Sequence, residues 1–180
     1  MIKRTILFTV LAAVVCSAQA KVRLHHLVGD NMVLQQQTEA RLWGWAEPGR
    51  TVTVTTSWSD QKVTAKVGKD GKWLVNVKTP KASYEPLSIT FDDGEPVTIH
   101  NVVSGEVWVC AGQSNMEMPV KGFGMCPVKD YNQHVLDAVN SKGVRSVKIP
   151  SIMRAKPQED AQCERRQGSP KPVVDFSATG

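Results

Sequence analysis

The 180-residue sequence is 41% hydrophobic and 22% charged, which is typical of a soluble globular protein and excludes a fibrous or largely disordered chain. Its formal charge is +5, of which +3 would remain if Lys3 and Arg4 were removed with an N-terminal leader. The basic residues are scattered along the chain, so no nucleic-acid partner is expected.

The first twenty residues have the pattern of a signal peptide. A basic start is followed by an apolar run from Ile6 to Val15, and Ala18-Gln19-Ala20 places small residues where a signal peptidase reads. Cys16 raises the alternative of a lipoprotein anchor, but the bulky Val15 before it disfavours that processing. The apolar run is too short to span a bilayer as a mature helix. The sequence therefore predicts cleavage after Ala20, export to the periplasm or the extracellular space, and no membrane attachment afterwards.

Residues 21–103 are predicted to form a β-sandwich. Thr51–Trp58 alternates between apolar and polar side chains, as a half-buried strand does. The stretches Lys62–Val67 and Trp73–Val77 flank the turn Gly68–Gly71, a pattern that predicts a β-hairpin. Further strands are predicted over residues 87–91 and 97–103. Several short strands separated by turns are typical of an antiparallel sandwich.

Four tryptophans and two histidines of this region leave functional alternatives open. The tryptophans are more simply explained as core residues, although aromatic side chains on a sheet could also stack on sugar rings in a carbohydrate-binding module. The histidines are expected to be ordinary polar residues near a strand start. The residues are Trp43, Trp45, Trp58, Trp73, His25 and His26.

From residue 104 onwards the pattern changes to that of an α/β protein. Glu106–Ala111 is a short continuous apolar run, which predicts a central strand covered on both faces. A helix is predicted around residues 135–139, with Asp130 near its start, and a second strand over Val144–Ile149. Strand, helix and strand indicate the beginning of a domain with a parallel sheet. The predicted organisation is a signal peptide at 1–20, a sandwich at 21–103 and part of a second domain at 104–180.

Three cysteines remain after the leader. Cys110 lies in the apolar run and is predicted to pack as a small buried hydrophobe. Cys126 and Cys163 could pair in an oxidising compartment. The spacings fit no zinc pattern, so no metal site is predicted.

A candidate nucleophile follows the predicted central strand. Ser114 lies in Gly112-Gln113-Ser114-Asn115-Met116, where Gly112 lets the backbone make a tight strand-to-helix turn. The helix start would offer backbone N–H groups to an oxyanion that develops on a substrate. Met116 occupies the second glycine position of the G-x-S-x-G elbow, which disfavours an α/β-hydrolase.

Glu106–Glu117 resembles the first sequence block of the SGNH (GDSL-like) hydrolases. More narrowly, it resembles the sialate O-acetylesterase family, in which GQSNM surrounds the catalytic serine. Asn31–Gln35, Arg41–Ala46 and Pro48-Gly49 resemble the N-terminal β-domain of that family. The resemblance implies a β-sandwich followed by the start of an α/β/α, flavodoxin-like SGNH-hydrolase domain that is incomplete in this chain.

The resemblance also implies roles for four residues. Ser114 corresponds to the catalytic nucleophile, and its own N–H would be one donor of the oxyanion hole. Gly112, Gln113 and Asn115 would support the turn and the pocket mouth. Family members take a further glycine, an asparagine and an Asp-x-x-His base from later sequence blocks, and none of these blocks occurs here.

Asp130 and His134 do not match the Asp-x-x-His pattern that supplies the base in the family. Three residues separate them instead of two, and they occur too early in the chain. His134 is therefore expected to be a helix-surface residue.

The function that the resemblance implies is hydrolysis of O-acetyl esters on sugars, without a metal or organic cofactor. The substrate would be an O-acetylated sialic acid or, as in an acetylxylan-type esterase, an acetylated plant polysaccharide. Because the base is missing, the 180 residues alone are predicted to be inactive. The alternative from another class is a non-catalytic carbohydrate-binding β-sandwich protein.

Overall fold

The computed structural model describes residues 21–140, 143–149, 152–161 and 164–165, so the predicted signal peptide lies outside the described residues. The described part of the chain is mostly β-sheet with few helices. No helix among the described residues is long and apolar enough to cross a membrane. The elements in chain order are β1 (Arg23–Leu24), β2 (Val33–Gln35), β3 (Glu39–Trp45), β4 (Thr51–Thr56), β5 (Ser59–Lys66), β6 (Lys72–Lys78), β7 (Ser83–Asp92), β8 (Val97–Gly105), α1 (Ser114–Glu117), β9 (Gly122–Phe123), β10 (Cys126–Pro127), α2 (Tyr131–Asn140), β11 (Val147–Lys148) and β12 (Glu164–Arg165).

Two sheets form the N-terminal part of the structure. The smaller has the strand order β1-β3-β6, and the larger has the order β2-β8-β7-β4-β5. All neighbours are antiparallel except β2, which runs parallel to β8 with Gln35 opposite Gly105. Because β2 and β8 end side by side, the chain that leaves β8 starts beside Gln35.

The two sheets share one hydrophobic core because buried and exposed side chains alternate along their strands. In β4, Val52 and Val54 are fully buried, as the sequence pattern predicts. In β6, Trp73 and the two valines after it point inward between exposed neighbours. The Trp73 ring contacts the Phe91 ring of the opposite sheet, with 5.5 Å between the centroids. The strands predicted over residues 87–91 and 97–103 are confirmed within β7 and β8.

The predicted hairpin of residues 62–67 and 73–77 is wrong. A turn does form at Gly68–Gly71, where the Gly68 N–H donates to the carbonyl of Lys72 at 2.9 Å. However, β5 pairs with β4, and β6 pairs with β3 in the other sheet. The turn carries the chain from one sheet to the other because the inward residues of β6 cover the core from the opposite side. Turn chemistry fixes a chain reversal but not the partner strand.

The chain beyond β8 differs from the predicted parallel α/β pattern. Glu106–Ala111 forms no strand and is exposed, with Val109 92% accessible to solvent. A strand covered on both faces needs neighbours, and no described strand pairs with this segment. The predicted helix is confirmed as Tyr131–Asn140. The predicted strand at 144–149 is reduced to Val147–Lys148, which pairs antiparallel with β12.

One arginine connects this later part of the chain to the larger sheet. The Arg145 guanidinium donates to the main-chain carbonyl of Asn101, and also to the Asn101 side-chain oxygen at 3.0 Å. Asn101 has a φ of 54°, a left-handed conformation that asparagine tolerates better than most residues. Burial lowers the pKa of Arg145. The guanidinium therefore ties residues 143–149 to β8.

Candidate active site

Ser114 is the first residue of the single helical turn α1, directly after the bend at Gln113. The Met116 N–H donates to the Gln113 carbonyl at 2.9 Å, which closes the turn. The Gln113 side chain makes no capping hydrogen bond. By position, the main-chain N–H groups of Ser114 and of Asn115 after it are therefore without an acceptor inside this helical turn.

The tight backbone at Gly112 fits the predicted role of that residue. A Cβ at position 112 would lie 3.3 Å from the Met116 Cβ, which is closer than usual for two carbons. An added side chain would therefore press on the helical turn that carries Ser114. The predicted site residues Gly112, Gln113, Ser114 and Asn115 are brought together, and all four are exposed to solvent.

No histidine pairs with Ser114 in the described part of the chain. The sequence contains four histidines, all of which the structure describes, and none forms a hydrogen bond with Ser114. His134 is exposed on α2, where its main-chain N–H donates to the Asp130 carbonyl at 3.1 Å. This placement agrees with the expectation that His134 is a helix-surface residue.

Both described cysteines carry exposed free thiols. The prediction that Cys110 is buried is wrong, because the segment around it is not covered by other strands. Cys126 is also free and exposed, and Cys163 lies outside the described residues.

The sequence reasoning missed a cluster of polar side chains around Asp160. The carboxylate of Asp160 accepts a hydrogen bond from the His26 main-chain N–H at 3.0 Å and lies 2.8 Å from the His26 Nδ1. It also lies 3.2 Å from the His25 Nε2 and 3.3 Å from an Arg23 guanidinium nitrogen. These contacts hold residues 152–161 against β1.

His25 is a buried member of this cluster, contrary to the expectation of an ordinary polar residue. Its side chain is only 7% exposed and stacks on the Trp45 ring, with 5.9 Å between the centroids. The Leu27 N–H donates to its Nδ1 at 3.1 Å, so the proton of a neutral imidazole lies on Nε2, facing Asp160. Both ring nitrogens are therefore engaged, and His25 is a structural residue.

Gly44 allows β1 to approach β3 closely enough for this cluster to form. A Cβ at position 44 would lie 2.3 Å from the Arg23 carbonyl oxygen, a distance that real side chains do not reach. Beside this contact, the Arg23 guanidinium carbon lies 3.7 Å from the centroid of the Trp45 ring. The glycine thus permits the pairing that sets Arg23 and His25 beside Asp160.

The ionisation of Asp160 is tuned by the same contacts. Burial alone would raise the pKa of Asp160, but the hydrogen bonds from His26 and the charge of the two imidazoles lower the pKa below its usual value. A lowered carboxyl pKa stabilises the folded state above the unfolded value of about 3.8. The stabilisation is lost as the pH falls through the lower folded-state pKa.

Asp160→Asn is accordingly expected to lower the free energy of unfolding by about 1 to 2 kcal/mol at neutral pH, because one amide cannot accept from all the donors around it. The difference between the two proteins should shrink as the pH falls through the folded-state pKa of Asp160, where its carboxyl group becomes protonated. Urea unfolding of both proteins at several pH values measures this difference in the free energy of unfolding. A difference that stays constant down to acid pH would contradict this account of Asp160.

The tryptophans mostly serve the fold. Trp73 is buried, and the Nε1 of Trp58 donates to the Lys78 carbonyl at 2.8 Å. Trp43 packs against the core and contacts the His25 ring. The core interpretation is therefore favoured over a sugar-binding face for these three residues.

Comparison with known proteins relates the chain to acetylesterases. It is 33% identical over 125 residues to the sialate O-acetylesterase of Mus musculus, covering 64% of this chain and 23% of the mouse protein. It is 28% identical over 156 residues to the sialate O-acetylesterase of Pongo abelii, covering 81% of this chain and 28% of that protein. The chain thus spans only about a quarter of the length of these relatives. No family model matches the sequence.

A solved structure gives the same relationship. The crystal structure of a novel carbohydrate acetylesterase from Xanthomonas citri superposes with a TM-score of 0.66 at 27% sequence identity. The match covers 81% of this chain and 32% of the Xanthomonas protein. Together these likenesses support a sialate O-acetylesterase-like family for the chain.

Proposed function

We propose that the chain is the nucleophile-bearing part of an exported carbohydrate O-acetylesterase. The observation that carries the proposal is Ser114 at the start of the helical turn of the GQSNM segment, in a chain whose relatives are acetylesterases. The β-sandwich followed by an incomplete SGNH-type domain is part of the same proposal. It accounts for the uncovered segment at 106–111, which would gain neighbouring strands in a complete domain.

In the proposed reaction, the Ser114 Oγ attacks the carbonyl carbon of an acetyl ester, and a base takes the hydroxyl proton. The negative charge on the carbonyl oxygen is stabilised by the N–H of Ser114 and by further donors. The protonated base gives its proton to the leaving sugar oxygen as the tetrahedral intermediate collapses, which releases the sugar hydroxyl and leaves an acetyl-enzyme. Water then attacks the acetyl carbonyl and loses a proton to the base, and that proton returns to the Ser114 Oγ as acetate leaves.

A serine hydroxyl is a poor nucleophile without a base. Among the described residues none of the four histidines forms a hydrogen bond with Ser114, and we propose that the base and most of the oxyanion hole come from outside the 180 residues. The sugar would be an O-acetylated sialic acid, as the names of the relatives suggest, or an acetylated polysaccharide.

A fusion protein tests this function directly. It joins residues 21–180 to the part of the Xanthomonas citri carbohydrate acetylesterase that the chain does not match. We expect it to release acetate from O-acetylated sugars, and comparison of acetylated sialic acid with acetylated xylan identifies the preferred class. A folded fusion protein whose acetate release does not depend on Ser114 would contradict the proposal.

A further inference from the structure

Three side chains hold the chain at the point where it leaves β8 and runs towards Ser114. Gln35 ends β2 beside Gly105, the last residue of β8. The N–H of Gln36 donates to the Gly105 carbonyl at 2.8 Å, which extends the pairing by one step. The next residue after the sheet is Glu106, whose carboxylate faces both glutamines.

Both ends of the Gln35 side-chain amide form hydrogen bonds with the chain where it leaves β8. Its Oε1 accepts from the Val107 N–H at 2.8 Å, and its Nε2 donates to a Glu106 carboxylate oxygen at 3.0 Å. One planar side chain therefore fixes two successive residues, which sets the direction of the chain and not only its position.

Gln36 anchors the other carboxylate oxygen to a second part of the sheet. Its Nε2 donates to Glu106 at 2.7 Å, and its Oε1 accepts from the Ala82 N–H at 2.9 Å. Ala82 directly precedes β7, so the Glu106 carboxylate is tied to β2 and, through Gln36, to the start of β7. The hydrogen bonds from Gln35 and Gln36 lower the pKa of Glu106 below its ordinary value, because they favour the charged carboxylate.

Nothing comparable holds the segment that follows. In the described part of the chain, no side-chain hydrogen bond reaches residues 108–112, and Trp108 and Val109 are exposed. The contacts of Glu106 and Val107 are thus the last fixed point before the turn that carries Ser114.

We propose that Gln35, Gln36 and Glu106 are positioning residues that aim the Ser114 segment at the substrate. This inference rests on the proposed function. Their role is to hold the exit from β8 in one direction, so that the nucleophile is presented in register with donors and a base supplied from elsewhere. Small misplacements of a reacting group cost about a hundredfold in rate.

Amide hydrogen exchange in the 180-residue chain tests the positioning without any need for activity. Gln35→Ala is expected to speed exchange of the Val107 amide at least about tenfold, the loss of one hydrogen bond, while core amides of β4 stay protected. The protection of Val107 should also fall in acid as Glu106 is protonated, and Glu106→Gln should remove that pH dependence. Gln61→Ala, at an exposed position of β5, is the matched control and should change nothing.

The fusion protein separates this inference from the proposed function. Gln35→Ala should lower kcat for acetate release about a hundredfold without a shift in thermal unfolding large enough to explain the loss. Full activity of Gln35→Ala in a protein that Ser114→Ala inactivates would overturn the positioning role alone. Unchanged activity of Ser114→Ala would overturn the proposed function, with the exchange result unaffected. Equal acceleration of exchange at Val107 and in β4 would also overturn the inference, because it would indicate general destabilisation.

Discussion

Ser114→Ala is expected to lower acetate release by the fusion protein by about ten thousand- to a million-fold. The variant removes the atom that forms the acetyl-enzyme in the proposed reaction, and serine hydrolases that lose their nucleophile retain only the modest catalysis of the oxyanion hole. The exposed turn at Gly112 and Gln113 needs no contact from the Ser114 hydroxyl, so the variant should fold normally.

The measurement is kcat/KM for acetate release, together with a burst experiment that detects the acetyl-enzyme. Ser83→Ala, an exposed serine at the start of β7, is the matched control and should keep the parent rate. A Ser114→Ala protein that still turns over at a similar rate would show that another residue acts as nucleophile.

Phe91→Ala is expected to lower the free energy of unfolding by about 3 to 5 kcal/mol. Phe91 has no solvent exposure and packs against Trp73, so the variant leaves a cavity between the two sheets. A loss of this size is a large share of the stability of a small domain. The chain should therefore unfold at much lower denaturant concentration.

Urea unfolding followed by tryptophan fluorescence measures this loss. Phe123→Ala is the matched control, since Phe123 in β9 is 47% exposed and its removal should cost less than about 1 kcal/mol. Equal losses for the two variants would contradict the assignment of Phe91 to the centre of the core.

The sequence predicted those parts of the fold whose signals are local. The alternation of valines in Thr51–Thr56 identifies a half-buried strand because side-chain direction has a period of two. The helix at Tyr131–Asn140 follows from helical periodicity within its own residues. In contrast, the strand with which β6 pairs depends on which side of the core its buried residues cover. The turn at Gly68–Gly71 does not specify that partner strand.

The segment at 106–111 shows that a continuous apolar run does not by itself form a strand. Its apolar run predicts a strand covered on both faces, and the structure leaves it exposed because no described strand pairs with it. The same reason explains why Cys110 is exposed. The GQSNM turn was predictable because the bend, the serine and the helical turn all lie within five residues.

The cluster of His25, His26 and Asp160 could not be predicted from sequence. More than 130 positions separate the histidines from the carboxylate, and neither side has a motif. The adjacent histidines beside Arg23 were a weak signal for an acidic partner. Only the approach of β1 to β3 at Gly44 and the return of residues 152–161 bring these groups together.

The most direct test of the account is acetate release by the purified 180-residue chain itself. With the proposed nucleophile in the chain and the proposed base outside it, no Ser114-dependent hydrolysis of a small acetyl ester is expected. Turnover by the chain that Ser114→Ala abolishes would contradict this account, because it would mean that one of the four histidines, or another residue of the chain, activates Ser114.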